Sequence, residues 1–196
     1  MNKIVHTFTV AFTVAIVSCQ RAYAESPVGS SDSERGQTFK DLVMADLRQP
    51  FPTDAELRER FTQLRRDFEK LVTMAQEDNE VIRIAPDFTW TTSNMGWPRP
   101  QSELGFTLER WNEYRRLFQI LGLEAGILRP WDHPNAIYLI VQTKGLSVAG
   151  SSKGYAYSEI PLEAHCESLD QDRGSTETGI CFKPLGGKWY LYLDWD

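Results

Sequence analysis

The chain has 196 residues, 41% hydrophobic and 24% charged, with six Trp and seven Tyr, a composition that fits one globular domain and excludes intrinsic disorder. A formal charge of −6 and a pI near 5.2 argue against a nucleic-acid partner, because phosphate binding is driven by counterion release onto a cationic surface.

The amino terminus reads as an export signal. Lys3 precedes an apolar stretch over residues 4–17, diluted only by His6 and threonines, and small residues follow. The stretch is too short for an ordinary membrane span. Two processing sites compete there and lead to different destinations. Ala22-Tyr23-Ala24 before Glu25 suits ordinary signal peptidase, which would remove residues 1–24 and release a soluble product. Ile16-Val17-Ser18-Cys19 instead resembles a bacterial lipobox; residues 1–18 would be lost and Cys19 lipidated, the one route by which this chain would meet a membrane. Residues 25–37, ESPVGSSDSERGQ, lack apolar periodicity and read as a flexible tether. A single domain over residues 38–196 remains.

Within that domain a short amphipathic piece at 39–47 ends at QPFP, where proline restricts both itself and its predecessor. Thr53-Asp54-Ala55-Glu56 then forms a capping box, and Leu57, Phe61, Leu64, Phe68, Leu71 and Ala75 follow at steps of four and three, the apolar stripe of one long helix. Its opposite face carries Arg58, Glu59, Arg65, Arg66, Glu69 and Lys70 and belongs in water. VIRIA (81–85) reads as a short strand stopped by Pro86, with DFTWTT extending it. NMGWPRPQSELG (94–105) is too rich in Pro and Gly for regular structure. A second helix starts near Thr107, places Trp111, Tyr114, Phe118 and Leu121 on one face and ends at Gly122 as a C′ residue with positive φ.

From Gly126 the pattern is strands: GILR, AIYLIVQT, LSVAG, YAYS, GICFK and KWYLYLDW. In the last of these Trp189, Leu191, Leu193 and Trp195 point one way and Tyr190, Tyr192 and Asp194 the other, so one face can meet the helices. The expected architecture is α+β, with two main helices packed on one face of a mainly antiparallel β-sheet.

Six features invite a chemical reading. GSSKG (150–154) has the G-x-S-x-G spacing of a nucleophile elbow, which needs a strand before it, a helix after it, and an acid and then a histidine downstream. Only the first requirement is met, so the expectation is a hairpin loop over Ser151, Ser152 and Lys153, with Gly154 in the left-handed conformation of a G1 bulge. The alternative is an exported serine hydrolase using Ser152, activated by Lys153 or by a histidine such as His165; against it, adjacent residues on an extended chain face opposite ways. GLSVAGSS fails as a phosphate loop because Ser151 stands where the lysine belongs.

Once either peptidase has taken Cys19 out of the count, Cys166 and Cys181 remain and suggest one disulfide in an oxidising compartment. His165 beside Cys166 does not make a metal site: zinc wants four clustered ligands, and only His133 could plausibly be added. No metal or other cofactor is expected. Asp194 and Asp196 share a face of the last strand without the opposed geometry of a glycosidase pair. The WPRP segment could present Trp97 and Arg99 on a stiff ridge, residue types that often dominate protein interfaces.

GSSKGYAYS, ERWNEYRRLFQILGLE, IAPDFTW and WYLYLDW together resemble a group of bacterial exported proteins and lipoprotein candidates. The resemblance covers most of the chain after the tether. It implies envelope localisation and a single domain, and it brings no established activity. The functional expectation is therefore a non-catalytic exported domain that binds an envelope macromolecule or a ligand, an immunity or inhibitor role being one version.

Overall fold

In a computed structural model of the protein, the described residues are 49–92, 98–146, 149–171 and 178–195. The chain divides into two compact units, Met1–Ala45 and Asp46–Asp196, and every described residue belongs to the second. The expected export signal, Cys19 and the expected tether lie outside the described residues.

The domain is α+β. Its elements run α1 (Asp54–Gln63), α2 (Arg65–Glu77), β1 (Val81–Ile84), β2 (Thr89–Thr91), a 3₁₀ turn (Ser102–Leu104), α3 (Leu108–Leu121), β3 (Gly126–Leu128), β4 (Ala136–Leu146), β5 (Ala149–Ser158), β6 (Gly179–Gly186) and β7 (Trp189–Trp195). The capping box forms: the Thr53 side chain accepts from the Glu56 N–H and the Glu56 carboxylate accepts from the Thr53 N–H at 2.7 Å. The single long helix expected over 57–75 is two, separated at Leu64, which leaves helical geometry at φ −112° and ψ 21°. Neither Pro nor Gly stands there, so no local signal marks the break. The apolar stripe survives it, with Leu57 and Phe61 buried from α1 and Phe68, Leu71 and Ala75 from α2. Helix α3 starts at the Thr107 cap and closes at Gly122, whose φ of 65° is the left-handed C-terminal geometry that glycine adopts at least cost.

The seven strands form one sheet in the order β2-β1-β3-β4-β5-β7-β6, and every neighbouring pair is antiparallel. DFTWTT does not extend β1. The Ala85 N–H bonds the Phe88 carbonyl at 2.9 Å, Pro86 and Asp87 reverse the chain, and the segment returns as β2 beside β1.

One face of the sheet carries Ile137, Leu139, Val141, Tyr155, Trp189, Leu191 and Leu193 into a core shared with all three helices. Ring contacts fix the packing: Phe68 meets Tyr155 at 4.5 Å and Phe61 meets Trp189 at 5.0 Å between centroids. The other face is buried as well. Tyr138, Ile140, Ala156, Phe182, Tyr190 and Tyr192 form a second cluster with Leu162.

The GSSKG turn is corrected by the pairing. Residues 150–154 lie inside β5, matched residue by residue with β4 and β7, and Gly154 has no left-handed φ. The reversal falls between Leu146 and Ala149, the pair that ends the β4–β5 ladder, inside the segment read as the strand LSVAG. Gly154 has a different reason to be glycine. It sits opposite Ile140 beside a β-bulge in β4, and a Cβ there would lie 2.1 Å from the Leu139 carbonyl oxygen and 3.0 Å from the Val141 nitrogen. Gly154→Ala must push two central strands apart, with an expected loss of about 2–3 kcal/mol seen as a lower urea midpoint at unchanged m-value. A variant as stable as the parent would contradict this close approach.

Candidate functional site

Strand geometry separates the two residues of the proposed Ser-Lys pair. Ser152 pairs with Asp194 and Lys153 with Leu193, so their side chains leave β5 on opposite faces. Among the described residues the Ser152 hydroxyl has one hydrogen-bond partner, the Tyr192 hydroxyl at a long 3.4 Å. Burial raises the Tyr192 phenol well above its ordinary value, so it stays protonated and gives Ser152 no base. Neither described histidine reaches the serine: His165 Nε2 meets the Leu162 carbonyl at 2.7 Å and His133 Nδ1 meets the Tyr138 hydroxyl at 2.8 Å. Gly154 is followed by more strand, not by the helix an elbow requires.

Lys153 points into the helix-side core and is 1% exposed. A cation so deep needs fixed counter-charges, and it has two: Asp170 at 2.6 Å and Asp54 at 3.0 Å. Lys183 from β6 holds the other Asp54 oxygen at 2.9 Å, and the Leu169 N–H bonds that oxygen at 3.0 Å. Asp54 opens helix α1, and its own N–H is taken by the Asp170 carboxylate at 2.9 Å, an anion placed where the helix dipole favours one. Burial works to raise the Asp54 pKa, but the Leu169 N–H, Lys183 and Lys153 together outweigh it and hold the carboxyl at about 2. Four charges therefore balance within one cluster that joins α1, β5, β6 and the segment before residue 172.

This cluster lies beside a cleft of about 580 Å³ whose walls include Phe51, Lys144, Ser151, Asp170, Leu193 and Trp195. The Lys144 ammonium sits 4.2 Å from the centre of the Phe51 ring and makes no ion pair among the described residues. The cleft thus offers aromatic and aliphatic walls with one cation uncommitted to a carboxylate.

The remaining candidates are placed as follows. Trp97 lies outside the described residues. Arg99 is exposed, and Glu103 engages its guanidinium at 3.1 and 3.2 Å. The Arg99 carbonyl accepts from the Thr89 hydroxyl at 2.6 Å, and buried Gln101 donates to that hydroxyl at 2.8 Å, so this loop is tied to β2. Asp194 stands on β7 opposite Ser152, and Asp196 is outside the described residues. Cys166 and Cys181 are at disulfide distance, with Cα atoms 5.9 Å apart. They fasten a short parallel bridge in which His165 pairs with Phe182 on the outer edge of β6. Among the described residues no group of three or more His, Cys, Asp or Glu side chains could hold a metal, and no helix is long and apolar enough to cross a membrane.

Sequence reasoning places Asp54 only in the capping box and assigns Asp170 and Lys183 no structural role. Asp54 carried one usable signal, its place in the first turn of a capped helix. No family model, curated protein or solved structure matches the chain.

Two outcomes follow from the ion cluster. Lys153→Met removes the cation shared by Asp170 and Asp54 and should cost about 3 kcal/mol of stability, at the low end for a broken buried pair because Asp170 is 39% exposed and Asp54 keeps Lys183. The Asp54 carboxyl is depressed from 3.8 to about 2 in the folded chain, so its contribution is complete above about pH 5 and drains away as pH falls through 4 toward 2. A stability curve measured from pH 6 to pH 2 should lose about 2 kcal/mol on this account, and Asp54→Asn should flatten that limb.

Proposed function

We propose that the protein is an exported, non-catalytic binding domain of the bacterial envelope, soluble or held by a lipid on Cys19, and that its partner is another envelope macromolecule. Immunity or inhibition is one form such binding would take. The observation that carries the reading is the fate of GSSKG: among the described residues its serine hydroxyl bonds the Tyr192 phenol and neither described histidine, and its lysine serves a buried ion cluster. Both have structural employment. The cysteine pair at disulfide distance and the signal-like amino terminus support export. The cleft of about 580 Å³ beside Lys144 favours a second form of the same reading, a small amphipathic ligand with an acidic group.

A fluorophosphonate probe offered to the oxidised mature protein should leave Ser152 unmodified, and ester or peptide turnover by the preparation should be the same before and after Ser152→Ala. Labelling at Ser152, with turnover lost in the variant, would establish the hydrolase instead. Material recovered from the envelope fraction should show no free thiol at Cys166 or Cys181 by alkylation and intact mass; two free thiols there would contradict export into an oxidising compartment.

A further inference from the structure

Both faces of the sheet are occupied, yet one end of it carries the most exposed large hydrophobic side chain of the described residues. Trp131, in the β3–β4 connection, is 73% exposed, and Ile160, in the segment after β5, is 55% exposed. The two connections converge because β4 and β5 pair at Ala136 and Ser158. Between them lies a small pocket of about 140 Å³, with Asp132, His133, Pro134, Ile160, Pro161 and Leu162 in its walls. That volume takes one aliphatic or aromatic side chain.

The pocket is built in advance. The Ala136 N–H bonds the His133 carbonyl at 2.9 Å, the Tyr138 hydroxyl holds the His133 ring, and Pro130 is buried at the base of the loop. On the other wall the Ser158 hydroxyl donates to the Ile160 carbonyl at 2.6 Å and accepts from the Ile160 N–H at 3.2 Å. Little ordering remains to be done when a partner arrives, which is what lets a small contact bind.

The surrounding charge is negative. Asp132, 71% exposed, has His133 at 3.4 Å and no Lys or Arg partner among the described residues. Glu163 is exposed beside Pro161 and Leu162 and makes no ion pair among the described residues. The cations close by are committed: Lys188 pairs with Glu159, and the Arg129 guanidinium turns inward to the Ala75 carbonyl. Such a rim repels a second copy of a chain with net charge −6, and it repels an anionic lipid surface. It attracts a basic one.

We infer that the Trp131–Ile160 end is the recognition surface of the domain, and that it takes a basic peptide segment of another protein, with one apolar side chain entering the pocket beside His133 and Lys or Arg meeting Asp132 and Glu163. The inference rests on the binding-domain reading and gives it a surface and a partner chemistry. Trp131 precedes Asp132 of the pocket wall, and tryptophan is among the residue types that most often dominate an interface.

The test uses the oxidised mature protein and three synthetic dodecapeptides, capped at both ends: Lys/Leu, Glu/Leu and Lys/Ser. Binding is read from the Trp131 indole N–H resonance, assigned by its disappearance in Trp131→Phe. The Lys/Leu peptide alone should move this signal, more weakly as salt rises. Its affinity, measured for every variant by titration calorimetry because Trp131→Ala lacks the indole signal, should fall at least about tenfold in Trp131→Ala and in Asp132→Lys/Glu163→Lys, both checked for unchanged circular dichroism and melting. Silence toward all three peptides, equal response to the Glu/Leu or Lys/Ser peptide, or undiminished Lys/Leu binding by Trp131→Ala overturns the proposal. So does a signal that moves with protein concentration alone, which would mean self-association, or with phosphatidylcholine vesicles, which would mean a membrane. Ser152-dependent turnover together with the expected peptide response would sink the non-catalytic reading and leave this surface standing.

Discussion

The arrangement of the domain turns on one buried cation. Lys153 leaves β5 toward the core, and an ammonium cannot stay there without carboxylates fixed in place. Asp54 supplies one from the first turn of α1, and Asp170 supplies the other from a loop far along the chain. Meeting that demand sets where the helix docks. Asp170 also accepts the free N–H at the start of α1, so the same carboxylate neutralises a lysine and caps a helix. Ion clusters of this kind add little net stability compared with a well-packed apolar replacement, but the loss of any single member is costly. Their value here is in position: charges from α1, β5, β6 and the 169–170 segment satisfy one another in one arrangement.

The segment that delivers Asp170 has several independent attachments. His165 bridges to β6, the cysteine pair fastens that bridge, Leu169 is buried in the helix-side core, and the Leu169 N–H binds Asp54. A covalent link at Cys166 lies only a few residues from the ion pair at Asp170, so oxidation and charge pairing reinforce each other. Closing the loop between the cysteines reduces the freedom of the unfolded chain by an amount worth about 3 kcal/mol. That lowers the entropy to be lost when Asp170 reaches Lys153.

What could be read from the sequence was governed by local rules. Thr53 and Glu56 satisfy each other within one turn, Gly122 ends a helix because only the backbone at that point matters, and the period-two alternation of WYLYLDW is visible without any partner. The misplaced turn shows the limit of such rules. GSSKG and LSVAG both contain glycine and small residues, so a local rule places the glycine of GSSKG in a reversal, whereas its real constraint is the Leu139 backbone beside it. The alternation of Ser152, Gly154 and Ala156 with Lys153, Tyr155 and Tyr157, small against large, was the available sign of a strand interior. Lys153 broke the pattern only because a buried lysine is rare, and its partners could not be seen: Asp170 on a loop, Asp54 more distant still. The break at Leu64 had no signal at all.

The surface site was hidden for the opposite reason. Trp131 stands in a short polar stretch where nothing in composition separates a recognition residue from a core aromatic, and its exposure emerges only when the sheet is assembled. Side chains on both faces of the sheet are buried, those on the helix side in the main core and those on the other in the tyrosine cluster. Side chains held by rigid neighbours while still meeting solvent are then found at the ends of the strands. At one end the β4–β5 ladder closes at the Leu146–Ala149 pair. At the other the β3–β4 loop and the segment after β5 are longer, stiffened by Pro130, Pro134 and Pro161 and anchored by the Ala136–Ser158 pair, and it is there that the most exposed tryptophan of the described residues stands.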